Sequence, residues 1–151
     1  MGEQATVHAR AEVAMSYFTG PYLRIYAPEF SLEQRKIMAV ELTDAIAQVL
    51  RLDGPKAEAI RIQFCPCGMD SVAVGGRLLS ELEEHYYHLE FCGCALNQEC
   101  KGALGRRLMP LMQELLNVPP VEGYRISLIF HEVPQGDLLM GRRHFSEVCR
   151  T

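Results

Sequence analysis

The sequence predicts an α+β domain made of a tandem β-α-β repeat, with a four-stranded mixed sheet carrying two helices on one face. Three observations predict it. The chain repeats itself at a shift of 66 residues, so that residues 21–80 fall on residues 87–146 without a gap. Short segments alternate apolar and polar residues, as half-buried strands do. Between them lie apolar residues at helical spacing. The repeat matches the apolar skeleton and a glycine: Leu23 on Leu89, Leu42 on Leu108, Ile60 on Ile126, Phe64 on Phe130 and Gly75 on Gly141. Repeats are sought first because they organise everything else.

Each element follows in order. Tyr22–Ala27 alternates Leu23 and Ile25 against Tyr22, Arg24 and Tyr26, which predicts the first strand. Ser31 with Gln34 three residues on has the form of a capping box. Met38, Leu42, Ala45, Ile46, Val49 and Leu50 then make one helical face. Gly54 and Pro55 are expected to stop that helix. Residues 59–65 are the second strand, with Ile60, Ile62 and Phe64 on one side. Gly75-Gly76 reads as a turn that needs positive φ. It is not a phosphate loop, because the Lys-Ser/Thr signature is absent.

In the second half Asn97 takes the cap position. Leu104, Leu108, Leu111, Met112, Leu115 and Leu116 replace the helical face. Pro110 falls mid-helix and is expected to kink it near Arg106, since it removes a backbone donor at a cost of about 3 kcal/mol. A strand-helix-strand unit gives parallel strands. Two units in tandem leave one sheet face uncovered, with Tyr22, Arg24, Arg61, His88, Glu90 and His131 among its residues. A face so mixed is expected to meet other copies in an oligomer. If the two first strands pair antiparallel at the centre, Arg24 and Glu90 meet there as a structural ion pair.

Composition sets limits. The chain has 151 residues, enough for one domain that buries roughly 70% of its unfolded surface. At 48% hydrophobic and 23% charged, it is too apolar and too sparsely charged for a disordered tail. The net charge of −4 lacks the basic signature of nucleic-acid binding, so no nucleic-acid partner is expected. No apolar run approaches the ~20 residues of a membrane span, so no membrane partner is expected either. The first 20 residues lack a basic n-region and apolar h-region, which predicts a cytoplasmic protein with reduced thiols.

Of the six cysteines, Cys65/Cys67 and Cys92/Cys94 have Cys-x-Cys spacing. Structural zinc sites favour wider knuckles. The cysteines are therefore read as small apolar residues at strand ends, and no metal or other cofactor is expected. The domain is expected to span residues 21–146, with a tail at residues 147–151. Residues 1–20 are an extension, with Val7, Ala11, Ala14 and Phe18 on one helical stripe, either packed over the pocket or an adjacent subunit, or frayed.

The segment Pro21-Tyr22-Leu23-Arg24-Ile25-Tyr26, followed by Ser31-Leu32-Glu33-Gln34-Arg35, Glu41–Ile46 and Val72-Ala73-Val74-Gly75-Gly76, resembles the tautomerase superfamily. That superfamily includes 4-oxalocrotonate tautomerase and macrophage migration inhibitory factor. The resemblance covers residues 21–146 and implies the fused tandem form, assembling as a trimer. It implies a keto-enol tautomerase or isomerase of small enolisable carboxylates, with an amino-terminal proline as general base. The family's proline falls on Pro21, a carboxylate-binding arginine falls on Arg61, and an apolar wall residue falls near Val72. Arg24 is a second carboxylate-binding candidate. A further family arginine falls on Ser31 and is missing. The dehalogenase branch needs an acid near the second glycine turn. Only Asp137 lies there, so that chemistry is not expected.

Pro21 is internal. Gly20 precedes it, and a proline nitrogen in a peptide bond has no basic lone pair. Two readings follow: an isomerase if Pro21 is freed by processing, or a catalytically inactive binding or structural trimer. His85, His88, His131 and His144 are read as packing residues. The pairs Arg106/Arg107 and Arg142/Arg143 are read as a solvated face.

Overall fold

The computed structural model describes residues 20–94 and 96–134, and the short strands at 139–140 and 143–144. The expected extension up to residue 19, Asp137, Gly141, Arg142, Ser146, Cys149 and the 147–151 tail lie outside the described residues.

The strands and helices take the predicted order. Strand β1 (Tyr22–Ala27) leads to helix α1 (Leu32–Leu50), a short helix α2 (Gly54–Glu58) and strand β2 (Arg61–Pro66). A hairpin, β3 (Ala73–Val74) and β4 (Arg77–Leu78), and the one-turn helix α3 (Leu79–Leu82) close the first unit. The second unit has β5 (Tyr87–Gly93), α4 (Gln98–Leu115), a 3-10 turn (Pro120–Arg125) and β6 (Ile126–Glu132). A matching hairpin, β7 (Leu139–Met140) and β8 (Arg143–His144), follows. The main sheet has the order β2-β1-β5-β6. Within each unit the strands are parallel, and the two units join by the antiparallel β1/β5 pair. The sheet is therefore mixed, as expected.

Alternation decides which way each strand faces. Leu23, Ile25 and Ala27 are buried, as are Leu89 and Phe91 on β5. The helices lay the same four positions on them. Met38, Leu42, Ala45 and Ile46 of α1 are buried, and so are Leu104, Leu108, Leu111 and Met112 of α4. These sets follow the i, i+4, i+7, i+8 stripe of a helix packed on a sheet. They coincide under the 66-residue shift, so the core itself repeats. No polar or charged residue among those described is buried.

The helix caps repeat too. The Ser31 hydroxyl accepts the Gln34 N–H at 3.1 Å, and the Gln34 side chain accepts the Ser31 N–H at 3.0 Å. Asn97 accepts the Cys100 N–H at 2.8 Å. At the other end the expectation of a Gly54-Pro55 stop needs correction. Helix α1 ends three residues earlier, at Arg51, which takes left-handed φ 53°. Leu52 N–H then reaches the Ala47 carbonyl at 2.9 Å, closing a Schellman turn. Pro55 instead sits in the first turn of the short α2, where its missing N–H costs nothing. Asn117, 66 residues after Arg51, has φ 54° and closes the same turn through Val118.

One smaller point differs from expectation. Strand β2 begins at Arg61 rather than residue 59, because Ala59 still caps α2. Helix α4 runs from Gln98 to Leu115 with Pro110 inside it, as the sequence places it. Pro110 is on the exposed side. Leu108, Leu111 and Met112 hold the inner side. Gly75 and Gly76 both take positive φ, 60° and 81°, as a two-residue hairpin turn with the right twist demands.

Candidate functional site

The sheet face opposite the helices carries the polar residues, and the repeat splits them into two groups at opposite ends. The first surrounds the start of β1. Pro21 is half-buried, and its carbonyl accepts the Arg61 N–H at 3.1 Å, which ties the start of β1 to the start of β2. Its nitrogen is bonded to Gly20. A side chain at residue 20 would clash with the Ala59 carbonyl oxygen, so the chain enters Pro21 through a gap only glycine fits.

The Tyr22 ring lies between two guanidinium groups, with the Arg24 centre 5.0 Å and the Arg61 centre 4.7 Å from its centroid. Both are within cation–π range. The hydrogen bond with Cys92, reinforced by burial, pushes the Tyr22 phenol above its ordinary pKa, against the pull of the two arginines. Arg24 and Arg61 are thus brought together on Tyr22, and Arg61 is joined to Pro21 through the backbone. Val72 is not among them. It lies beyond the other end of β1, a strand that spans about 20 Å at ~3.3 Å per residue. Ser31, where a family arginine is missing, is occupied as a helix cap.

The second group surrounds the start of β5. A cavity of about 220 Å³ opens there, walled by Tyr26, Val72, Val74 and Tyr87, with His88 and Ser127 also on its lining. Parallel pairing sets His88 opposite Ser127, and antiparallel pairing sets Arg24 opposite Glu90. His88 Nδ1 is 2.7 Å from Ser127 Oγ, and His88 Nε2 is 3.3 Å from Glu90 Oε1. His131 Nε2 is 3.8 Å from that same oxygen. The other Glu90 oxygen accepts the Tyr26 hydroxyl at 3.4 Å and faces Arg24 at 3.9 Å. Burial by itself raises the Glu90 pKa. Hydrogen bonds from His88 and Tyr26, with the charges of both histidines, outweigh it and hold the carboxyl below its ordinary value.

The Arg24–Glu90 pair therefore forms as the repeat predicted. The reading of His88 and His131 as packing residues needs correction, since both face a carboxylate on the open side. The signal for this cluster was present: the 66-residue shift aligns His88, Glu90 and Ser127 with Tyr22, Arg24 and Arg61. The His85 ring instead packs 6.4 Å from Tyr87. Arg106 and Arg107 are exposed. Among the described residues no three His, Cys, Asp or Glu side chains are grouped to hold a metal ion. No helix among them is long and apolar enough to cross a membrane.

No family model matches the chain, and no curated protein matches it in sequence. Solved structures do match in three dimensions. A native fused 4-OT superposes with a TM-score of 0.73 at 17% identity, covering 85% of this chain and 99% of that one. A wild-type fused 4-OT in an asymmetric trimer gives 0.70 at 19%, covering 84% and 98%. The macrophage migration inhibitory factor of Toxoplasma gondii gives 0.61 at 16%, covering 82% and 99%. Together with the tandem β-α-β units and the mixed sheet, these likenesses give the chain the fold of the tautomerase superfamily in its fused form.

Proposed function

We propose that this chain is a homotrimeric, cytoplasmic carboxylate-binding protein that becomes a keto-enol isomerase when the Gly20–Pro21 bond is cut. The observation that supports the reading is the pair of guanidinium groups, Arg24 and Arg61, on the ring of Tyr22, the residue next to Pro21. Two guanidinium groups suit a small carboxylate, and their charge lowers the pKa of a free proline amine beside them. Such an amine is a general base that moves a proton between carbon and oxygen of an enolisable keto acid. In the intact chain the same nitrogen is an amide and takes no proton. Without that base the uncut protein is no isomerase, and the Pro21 end of the sheet serves for binding or structure in the trimer.

The trimer rests on two supports. The open face is mixed, with Ile129 46% exposed beside the Glu90 cluster. Fused 4-OT proteins of the same fold are described as symmetric and asymmetric trimers. Solution mass tests this part.

The catalytic part is tested by comparing the full chain with a chain that starts at Pro21, using phenylpyruvate or 2-hydroxymuconate. The shortened chain is expected to turn over about 100-fold faster or more, the usual scale of a general base. Pro21→Ala in the shortened chain is expected to remove that gain. Equal rates in all three would leave only the binding or structural trimer.

A further inference from the structure

The groups at the start of β5 stand in the relation of nucleophile, base and orienting acid. We propose that Ser127, His88 and Glu90 form a hydrolytic triad that cleaves small esters whose apolar acyl group enters the cavity walled by Tyr87, Val72 and Val74.

The hydrogen-bond pattern supports this assignment. A carboxylate only accepts, so the 3.3 Å contact makes Glu90 the acceptor of the His88 Nε2–H. Nδ1 then keeps its lone pair. The Ser127 hydroxyl, 2.7 Å away, donates to it. This is a nucleophile in hydrogen-bond contact with a base that a third group orients. The ring nitrogens are used in the reverse sense from serine proteases, but an imidazole relays a proton through either one. Tyr26, Arg24 and His131 all point at Glu90, which keeps it ionised in that role.

Placement supports it too. His88 and Ser127 both line the cavity, so the nucleophile and base sit where a bound acyl group would present its carbonyl. Ser127 is exposed in the single chain, on the edge strand β6. Arg125 adds a cation to the cavity wall, held by the His85 carbonyl at 2.9 Å and by Glu122 at 2.9 Å. Its charge has the sign that favours an oxyanion. The first repeat has Tyr22, Arg24 and Arg61 at the same three positions, which supply neither a base nor a hydroxyl nucleophile of this kind.

The reaction runs in two halves. Ser127 Oγ bonds to the ester carbonyl carbon while its proton passes to His88 Nδ1. The carbon–oxygen bond to the alcohol breaks, and the alcohol leaves with that proton. Water then attacks the acyl-Ser127 ester and gives a proton to His88. The acyl–oxygen bond breaks, the carboxylic acid leaves, and the proton returns to Ser127. Ser127 and His88 are the catalytic residues, and Glu90 is a positioning residue.

The test uses the full chain with p-nitrophenyl butyrate and an alkyl fluorophosphonate probe. Ester turnover and a probe adduct mapped to Ser127 are expected. Ser127→Ala and His88→Gln are each expected to lower kcat/KM about 100-fold or more. Glu90→Gln is expected to lower kcat with KM unchanged, and Glu90→Asp to recover part of the loss. Ser127 is exposed on the edge strand β6, so its alanine variant leaves the core untouched and its melting temperature serves as the folding check. An adduct on Cys67, which also lines the cavity, would overturn the proposal. So would the absence of any adduct, or wild-type turnover by Ser127→Ala. None of these results bears on the isomerase reading, which depends on Pro21.

Discussion

Met38, Leu42, Ala45 and Ile46 under one half of the sheet do the same work as Leu104, Leu108, Leu111 and Met112 under the other. On the open face the matching positions part company. The first repeat puts Tyr22, Arg24 and Arg61 there, a phenol between two cations. The second puts His88, Glu90 and Ser127 there, an imidazole between a carboxylate and a hydroxyl. One backbone thus carries two chemistries. The reason is physical: a core position is constrained by the volume of its neighbours, whereas the open face must only satisfy its charges. Arg24 and Glu90 show how the halves are reconciled. They are equivalent under the repeat, opposite in charge, and paired across β1/β5.

This comparison is open to attack first in the core. Leu42 and Leu108 are both fully buried at equivalent positions. Leu42→Ala and Leu108→Ala are each expected to cost about 2–5 kcal/mol in urea unfolding. Closely matched losses would sharpen the equivalence of the halves. One variant folding as well as the wild type would break it.

A smaller effect is expected at the caps, where the halves share a shape but not a residue. Arg51 and Asn117 both hold left-handed backbone, which crowds a β-carbon. Asparagine tolerates that conformation and arginine does not. Arg51→Gly is therefore expected to raise stability by about 1 kcal/mol, and Asn117→Gly by only a few tenths. Thermal melts of the two variants check the difference, and an equal gain would contradict it.

The smallest effects divide the two open-face groups by pH. The Glu90 pKa is depressed below the ordinary 4.5. Its contribution is fully present above that value and is lost as pH falls through the lower folded value. Glu90→Gln should flatten the acid limb of the stability curve. The Tyr22 pKa is raised above 10.0, chiefly by the Cys92 hydrogen bond. Its contribution is present below pH 10.0 and is lost as pH rises through the higher folded value. Tyr22→Phe should flatten the alkaline limb only. Urea titrations across pH would sink this assignment if either variant moved the opposite limb.

Much of this was legible in the residues. The repeat, the strand alternation, the Ser31 and Asn97 caps and the Gly75-Gly76 turn depend on neighbours close in sequence. The end of α1 was not legible in the same way. Arg51 is a poor residue for left-handed backbone, and it is held there by the Leu52–Ala47 bond and the packing behind it.

The sequence by itself determined that two β-α-β units would share one core, because apolar periodicity and burial are set by local spacing. It also determined that Arg24 and Glu90 would meet, once the central strands were taken as antiparallel. Only the tertiary structure decided that Val72 sits with His88 and Ser127 at one end of β1, while Pro21 sits with Arg61 at the other. The grouping depends on strand register and on where the β3/β4 hairpin folds back. Both are contacts between segments far apart in the chain, which no local pattern records.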